Sequence, residues 1–247
     1  MDKRLARVGL VAAMAVLAAC ATTDNSKVSD HDAARFNVQL GISYLQRGDL
    51  QEAREKLERA AEQDPSFADA QAALGILYER VGDLGRAGQH LRRATQLAPD
   101  DPSIVNNYGG FLCRRGERAE GIEYFRRAAQ NAFYRTPEIA WTNAGVCARG
   151  IPDPELAEQF LRRALEVNRN HAEALLQLAD LSLSQGETLN ARAFLQRYES
   201  LRAATPYSLE LGRRIELAAG DHQAAAAYTR RLLQDFPDSA EAGRLER

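Results

Sequence analysis

The sequence predicts an all-α solenoid, a right-handed superhelix of about six helix-turn-helix repeats. Three observations predict it. A 34-residue pattern recurs along most of the 247-residue chain. Small residues recur inside that pattern where two helices would have to touch. No run alternates polar and apolar residues at period two, as a half-buried strand would.

The unit is clearest in Ala68–Asp101 (ADAQAALGILYERVGDLGRAGQHLRRATQLAPDD). Gly75, Ala87 and Ala94 stand at positions 8, 20 and 27, where a small side chain permits close approach. Leu74, Tyr78 and Leu91 fill positions 7, 11 and 24, and Gly82-Asp83 marks the turn between helices. Pro99, at position 32, ends the second helix because proline has no amide hydrogen to donate. This is the tetratricopeptide (TPR) pattern.

Stepping by 34 residues gives 34–67, with Leu40, Gly41, Tyr44, Ala53, Leu57, Ala60 and Pro65 in register, then 68–101 and 102–135. A two-residue slip at Thr136-Pro137 precedes 138–171, where Trp141 holds position 4 and Gly145, Ala157, Leu161 and Ala164 follow. The pattern continues through 172–205 and weakens in 206–239, where Arg213 and Leu232 replace small residues. Terminal repeats are commonly atypical. Residues 240–247 are expected to be a cap or a tail.

The chain before the repeats has a different character. Lys3, Arg4 and Arg7 precede an apolar stretch, Val8–Ala19, too short to span a bilayer. It ends in Leu17-Ala18-Ala19-Cys20, which resembles a bacterial lipobox, so residues 1–19 are expected to be a lipoprotein signal peptide and Cys20 the lipidated first residue. The alternative is an ordinary signal peptide with Cys20 incidental. Ala21 follows where lipoproteins retained at the inner membrane typically carry aspartate. The resemblance therefore implies sorting to the periplasmic face of the outer membrane. Residues 20–33 read as a short polar tether.

The formal net charge is −2, and removing residues 1–19 takes three positive charges and one negative, leaving −4. That balance argues against a nucleic-acid partner. The pairs Arg92-Arg93, Arg126-Arg127 and Arg162-Arg163 recur at positions 25 and 26, and read as a solvated outer face. Besides Cys20 there are Cys113 and Cys147, near the C-terminal ends of successive first helices. A bridge between them would close a loop of about 35 residues, worth roughly 3–4 kcal/mol in the chain-entropy picture. Two buried free thiols are the alternative.

Catalytic and cofactor chemistry find no support. The four histidines (His31, His90, His171, His222) occupy unrelated positions, and no metal-ligand spacing occurs. The glycines of Gly82–Gly88 lack the Gly-Lys-Ser/Thr and the preceding strand of a phosphate loop. No Gly-x-Ser-x-Gly elbow is present. The reading is a non-enzyme without cofactor or metal, monomeric apart from its partner complex.

Function must then come from the concave face. Positions 5, 9 and 12 of the first helices share one side by helical spacing. They supply Val38, Ile42 and Leu45, then Ala72, Ile76 and Glu79, then Asn106, Gly110 and Cys113, then Thr142, Val146 and Arg149. The expected partner-binding groove is Val38, Ile42, Leu45, Ala72, Ile76 and Asn106, with none of these needed for packing within a repeat. It suits an apolar strip of a peptide or amphipathic helix. Coverage by a capping helix or by the tether is the alternative.

Two segments go beyond the generic repeat: Asn106–Ala128 (NNYGGFLCRRGERAEGIEYFRRA) and Tyr134–Ala148 (YRTPEIAWTNAGVCA). With the lipobox and the six-repeat length, they resemble the PilF/PilW family of type IV pilus biogenesis lipoproteins, or pilotins. The resemblance covers the whole chain. It implies an outer-membrane lipoprotein that binds the pilus secretin and promotes its localisation and multimerisation. It also supports pairing Cys113 with Cys147. The competing reading is a TPR lipoprotein that scaffolds peptidoglycan hydrolases or synthases.

Overall fold

The computed structural model describes residues 29–245. Among them are thirteen helices and no strand: α1 (Asp30–Arg47), α2 (Leu50–Gln63), α3 (Ala68–Arg80), α4 (Leu84–Leu97), α5 (Pro102–Arg114), α6 (Arg118–Ala129), α7 (Pro137–Ala148), α8 (Pro154–Val167), α9 (Ala172–Ser184), α10 (Thr188–Glu199), α11 (Pro206–Ala218), α12 (His222–Asp235) and α13 (Ala240–Leu245). Consecutive helices pair as six hairpins, and the first helix of each hairpin also packs on the first helix of the next. The expected TPR solenoid is the fold. The expected signal peptide, Cys20 and most of the tether lie outside the described residues.

The turns repeat because their chemistry repeats. Gly48, Gly82, Gly116, Gly186 and Gly220 follow the first helices with φ between 78° and 88°, a left-handed backbone that ends a helix and penalises a β-carbon. The fourth hairpin has no left-handed glycine at this turn, and its second helix starts with the aspartate cap seen at Asp83 and Asp221 plus a proline. Asp153 accepts from the Leu156 amide, and Pro154 occupies the first helical position, where its missing donor costs nothing.

Inside each hairpin the small residue at position 8 faces the large one at position 24. A β-carbon added to Gly41, Gly75 or Gly145 would lie 2.5, 2.5 or 2.6 Å from Leu57, Leu91 or Leu161. Those leucines are fully buried, with Phe125 in the same slot of repeat three. Burying each such side chain stabilises the array by about 2–3 kcal/mol. In repeat four, Trp141 stacks on Phe160 at 5.8 Å between centroids.

Several boundaries differ from expectation. Helix α1 starts at Asp30, so residues 30–33 belong to the first repeat and not to the tether; the Ser29 hydroxyl caps it by accepting from the Asp32 amide. Helix α7 starts at Pro137, one residue ahead of the expected repeat. Leu40, assigned to an interior slot, is 49% exposed, because among the described residues no repeat packs ahead of α1. In repeat six the close-packed small residue is Gly212, against Tyr228, while Arg213 turns away to pair with Glu210. Leu232 is buried with Leu209 and Ala242, so α13 closes the end of the core. The arginines at position 26 remain exposed, but Arg127 and Arg197 also donate to the carbonyls of Pro99 and Arg169 in the preceding turns. Their recurrence thus ties neighbouring repeats together.

Candidate partner-binding groove

A groove of about 600 Å³ opens on the concave side of repeats one to three. Helix α1 contributes Val38, Ile42 and Leu45, and α3 contributes Ala72 and Ile76. Five of the six residues expected to line the surface therefore meet in one place. Ile42 and Ile76 are each 40% exposed, hold the same repeat position on neighbouring first helices, and present the apolar face. Val38, Leu45 and Ala72 are nearly buried. The expectation that none of them is needed for packing within a repeat fails for Val38, Leu45 and Ala72. Val38 and Leu45 sit in the core cluster of repeats one to three, and Ala72 packs with Ala94 and Ile104 between repeats two and three.

The spacing argument missed Phe67, Ile104 and Asn107, which also line the groove. Phe67 comes from the turn before α3, and the other two from helix positions outside the 5-9-12 set. Ile104 is buried against Ala72 and Ala94, so it reaches the groove from the seam between repeats two and three. At the rim, Arg80 donates to the Leu45 carbonyl and ties repeat two to repeat one. Asp69 at the edge has its carboxyl pushed up by burial and by the neighbouring Asp101 carboxylate.

Asn106 is not part of this groove. It lines an adjoining notch of about 280 Å³ with Asn107, Gly110, Asn143 and Val146; Ile76 and Asn107 border both. The Asn143 side-chain amide donates to Asn106 Oδ1 at 3.0 Å. Beneath the notch, Cys113 of α5 and Cys147 of α7 come together with Cα atoms 5.8 Å apart, within the roughly 4.4–6.8 Å that a disulfide spans.

Known proteins agree with this architecture. Tetratricopeptide repeat models match residues 38–102, 153–208 and 209–239. The type IV pilus assembly protein PilF of Pseudomonas aeruginosa is 30% identical over 241 residues, covering 95% of this chain and 96% of that protein. The chain belongs to the PilF/PilW family. The crystal structure of PilW, described as a widely conserved type IV pilus biogenesis factor, superposes with a TM-score of 0.80 at 30% identity, covering 87% of this chain and 98% of PilW. A solved structure of Pseudomonas aeruginosa PilF gives 0.75 at 29% identity, covering 88% and 98%. PilF/PilW membership makes this chain a TPR scaffold of the type IV pilus biogenesis family.

In this PilF/PilW-family array the face becomes mixed after repeat four, with Leu183 and Leu217 still at position 12. Position 9 changes from Ile42, Ile76 and Val146 to Asp180 and Arg214. Asp180 is 8% exposed and accepts from Arg149 at 2.5 Å and Arg214 at 3.3 Å, so one buried carboxylate links repeats four, five and six. Burial, followed by the charge and hydrogen bond of Asp180, pushes the Tyr207 phenol up to about 12 from its usual 10. A raised folded-state value favours the neutral phenol in the folded chain. Its contribution is full below pH 10 and is lost as pH rises from about 10 to about 12. Stability should therefore fall over that window by alkaline denaturation, and Tyr207→Phe should flatten the fall.

Proposed function

We propose that this protein is a non-enzymatic outer-membrane lipoprotein that binds the pilus secretin and promotes its localisation and multimerisation. The observation that carries the reading is the near-complete, end-to-end likeness to PilF, a type IV pilus assembly protein. The exposed Ile42 and Ile76 give it a physical basis, because an apolar strip on a partner segment would bury them. Acyl chains on Cys20 carry the protein to the periplasmic face of the outer membrane, since several chains at one terminus anchor stably where one does not. Subunits held there meet at higher effective concentration, which favours ring assembly. A disulfide between Cys113 and Cys147 braces the middle of the array in this oxidising compartment.

The test is fractionation of secretin multimers from cells lacking this gene. Multimers should be lost from the outer membrane and restored by the wild-type gene, while a Cys20→Ser copy should restore them poorly. Normal outer-membrane multimers in the deletion strain would reject the proposal and favour the cell-wall scaffold.

A further inference from the structure

We infer that the notch over Gly110 is an anchor subsite that takes one uncharged, hydrogen-bonding side chain of the partner segment. This rests on the groove proposed above as the secretin site. Gly110 lies inside α5, where glycine is less favourable than alanine. Its neighbour Gly109 is required by packing: an added β-carbon would sit 3.0 Å from the Gly121 carbonyl and 3.1 Å from Phe125 and Tyr124. At Gly110 the added atom would meet only the tip of the Arg114 side chain, at 3.1 Å. Packing does not ask for glycine there. What the glycine does is lower the position 9 row between Ile76 and Val146, which are 40% and 42% exposed, leaving a dip walled on one side by the Arg114 guanidinium.

The walls of that gap set the chemistry. Asn106 and Asn143 share a single hydrogen bond, which among the described residues leaves the amide hydrogens of Asn106 and the carbonyl oxygen of Asn143 unused. The side chain of Asn107 has no partner among the described residues. Donors and acceptors thus face one small space together. Arg114 and Glu79 both line the notch and pair with each other at 2.5 and 2.7 Å, so among the described residues their charges offset there. A charged side chain would lose its hydration without a counter-ion, and an apolar one would desolvate three amides without pairing them. A neutral side chain that both donates and accepts fits. The volume, about 280 Å³, is smaller than the roughly 300–1,000 Å³ of sites for whole small ligands and matches one side chain. Because Ile76 and Asn107 border both spaces, one segment can lay its apolar part in the groove and its anchor in the notch.

The test uses the full lipoprotein in detergent and overlapping peptides tiled along the periplasmic part of the secretin, read by fluorescence anisotropy. Gly110→Leu fills the notch with a better helix former, so the melting temperature should hold or rise. It should weaken the bound peptide about tenfold or more. Alanine scanning of that peptide should find one uncharged polar residue whose replacement costs a similar factor and removes any further effect of Gly110→Leu. Unchanged affinity in Gly110→Leu, with affinity lost in Ile42→Asp/Ile76→Asp, would overturn the notch and leave the proposed function standing. An anchor found to be charged or apolar would also overturn it. Failure of the wild-type protein to hold any tiled peptide would overturn both.

Discussion

Changing Ile42 and Ile76 together to aspartate should lower affinity for the secretin at least ~100-fold, measured by co-purification and by titration. Each isoleucine leaves 40% of its surface open in the free protein, and that surface is what a partner strip would cover. Aspartate removes the apolar gain and adds two carboxylates that a bound apolar segment would strip of water without pairing them. Because both positions are already partly solvated, the free array should lose only about 1–2 kcal/mol of stability. Val38→Asp provides the contrast. Val38 is 5% exposed and belongs to the core, so that change should unfold the first repeats as well as abolish binding. Retained co-purification by the double variant would reject the groove without touching the lipid anchor or the family assignment.

Cys113→Ser should destabilise the protein by about 4 kcal/mol, from the chain-entropy value for closing a loop of this length. The two cysteines are 34 residues apart, lie in successive repeats in the middle of the array, and would be joined by the proposed bridge. For a chain of this size the melting temperature should drop by about 10 °C. Cys113 is the better position to change because it is only half-buried, whereas Cys147 is 2% exposed and would bury a serine hydroxyl. A reductant should move the wild type to the value of the variant and leave the variant alone. A wild-type melt indifferent to reductant would mean two free thiols. In a solenoid each repeat contacts only its neighbours, so losing a tie at the centre lets the two halves open separately.

The repeats were legible because their signals are local. The contacts of Gly41 with Leu57, Gly75 with Leu91 and Gly145 with Leu161 each span sixteen residues within one hairpin, so a fixed spacing in the chain reports a fixed contact in space. Ser29 and Asp32 also carried a readable signal. A hydroxyl followed three residues later by an acid is a helix start, and it was masked by the polar composition of the supposed tether. The sixth repeat was harder to read for a physical reason. Its outer neighbour is the short α13, not another repeat, and Leu232 fills the slot that is alanine in repeats one to four and Tyr198 in repeat five.

By itself, then, the sequence determined the fold class, the number of repeats, the helices that form the concave face and the residues that make it apolar at one end. Those depend on interactions within about 34 residues, where helical period and side-chain size suffice. Only the tertiary structure decided which of those residues are free to meet a partner. Position 5 turns into the seam between helices and position 9 faces the open groove, so Val38 and Ala72 are core where Ile42 and Ile76 are surface. It also decided that Arg149, Asp180 and Arg214 meet across three repeats and that Asn106 and Asn143 meet across two. Such meetings follow from how far each repeat rotates on the last, and that rotation is set by the packed interface as a whole.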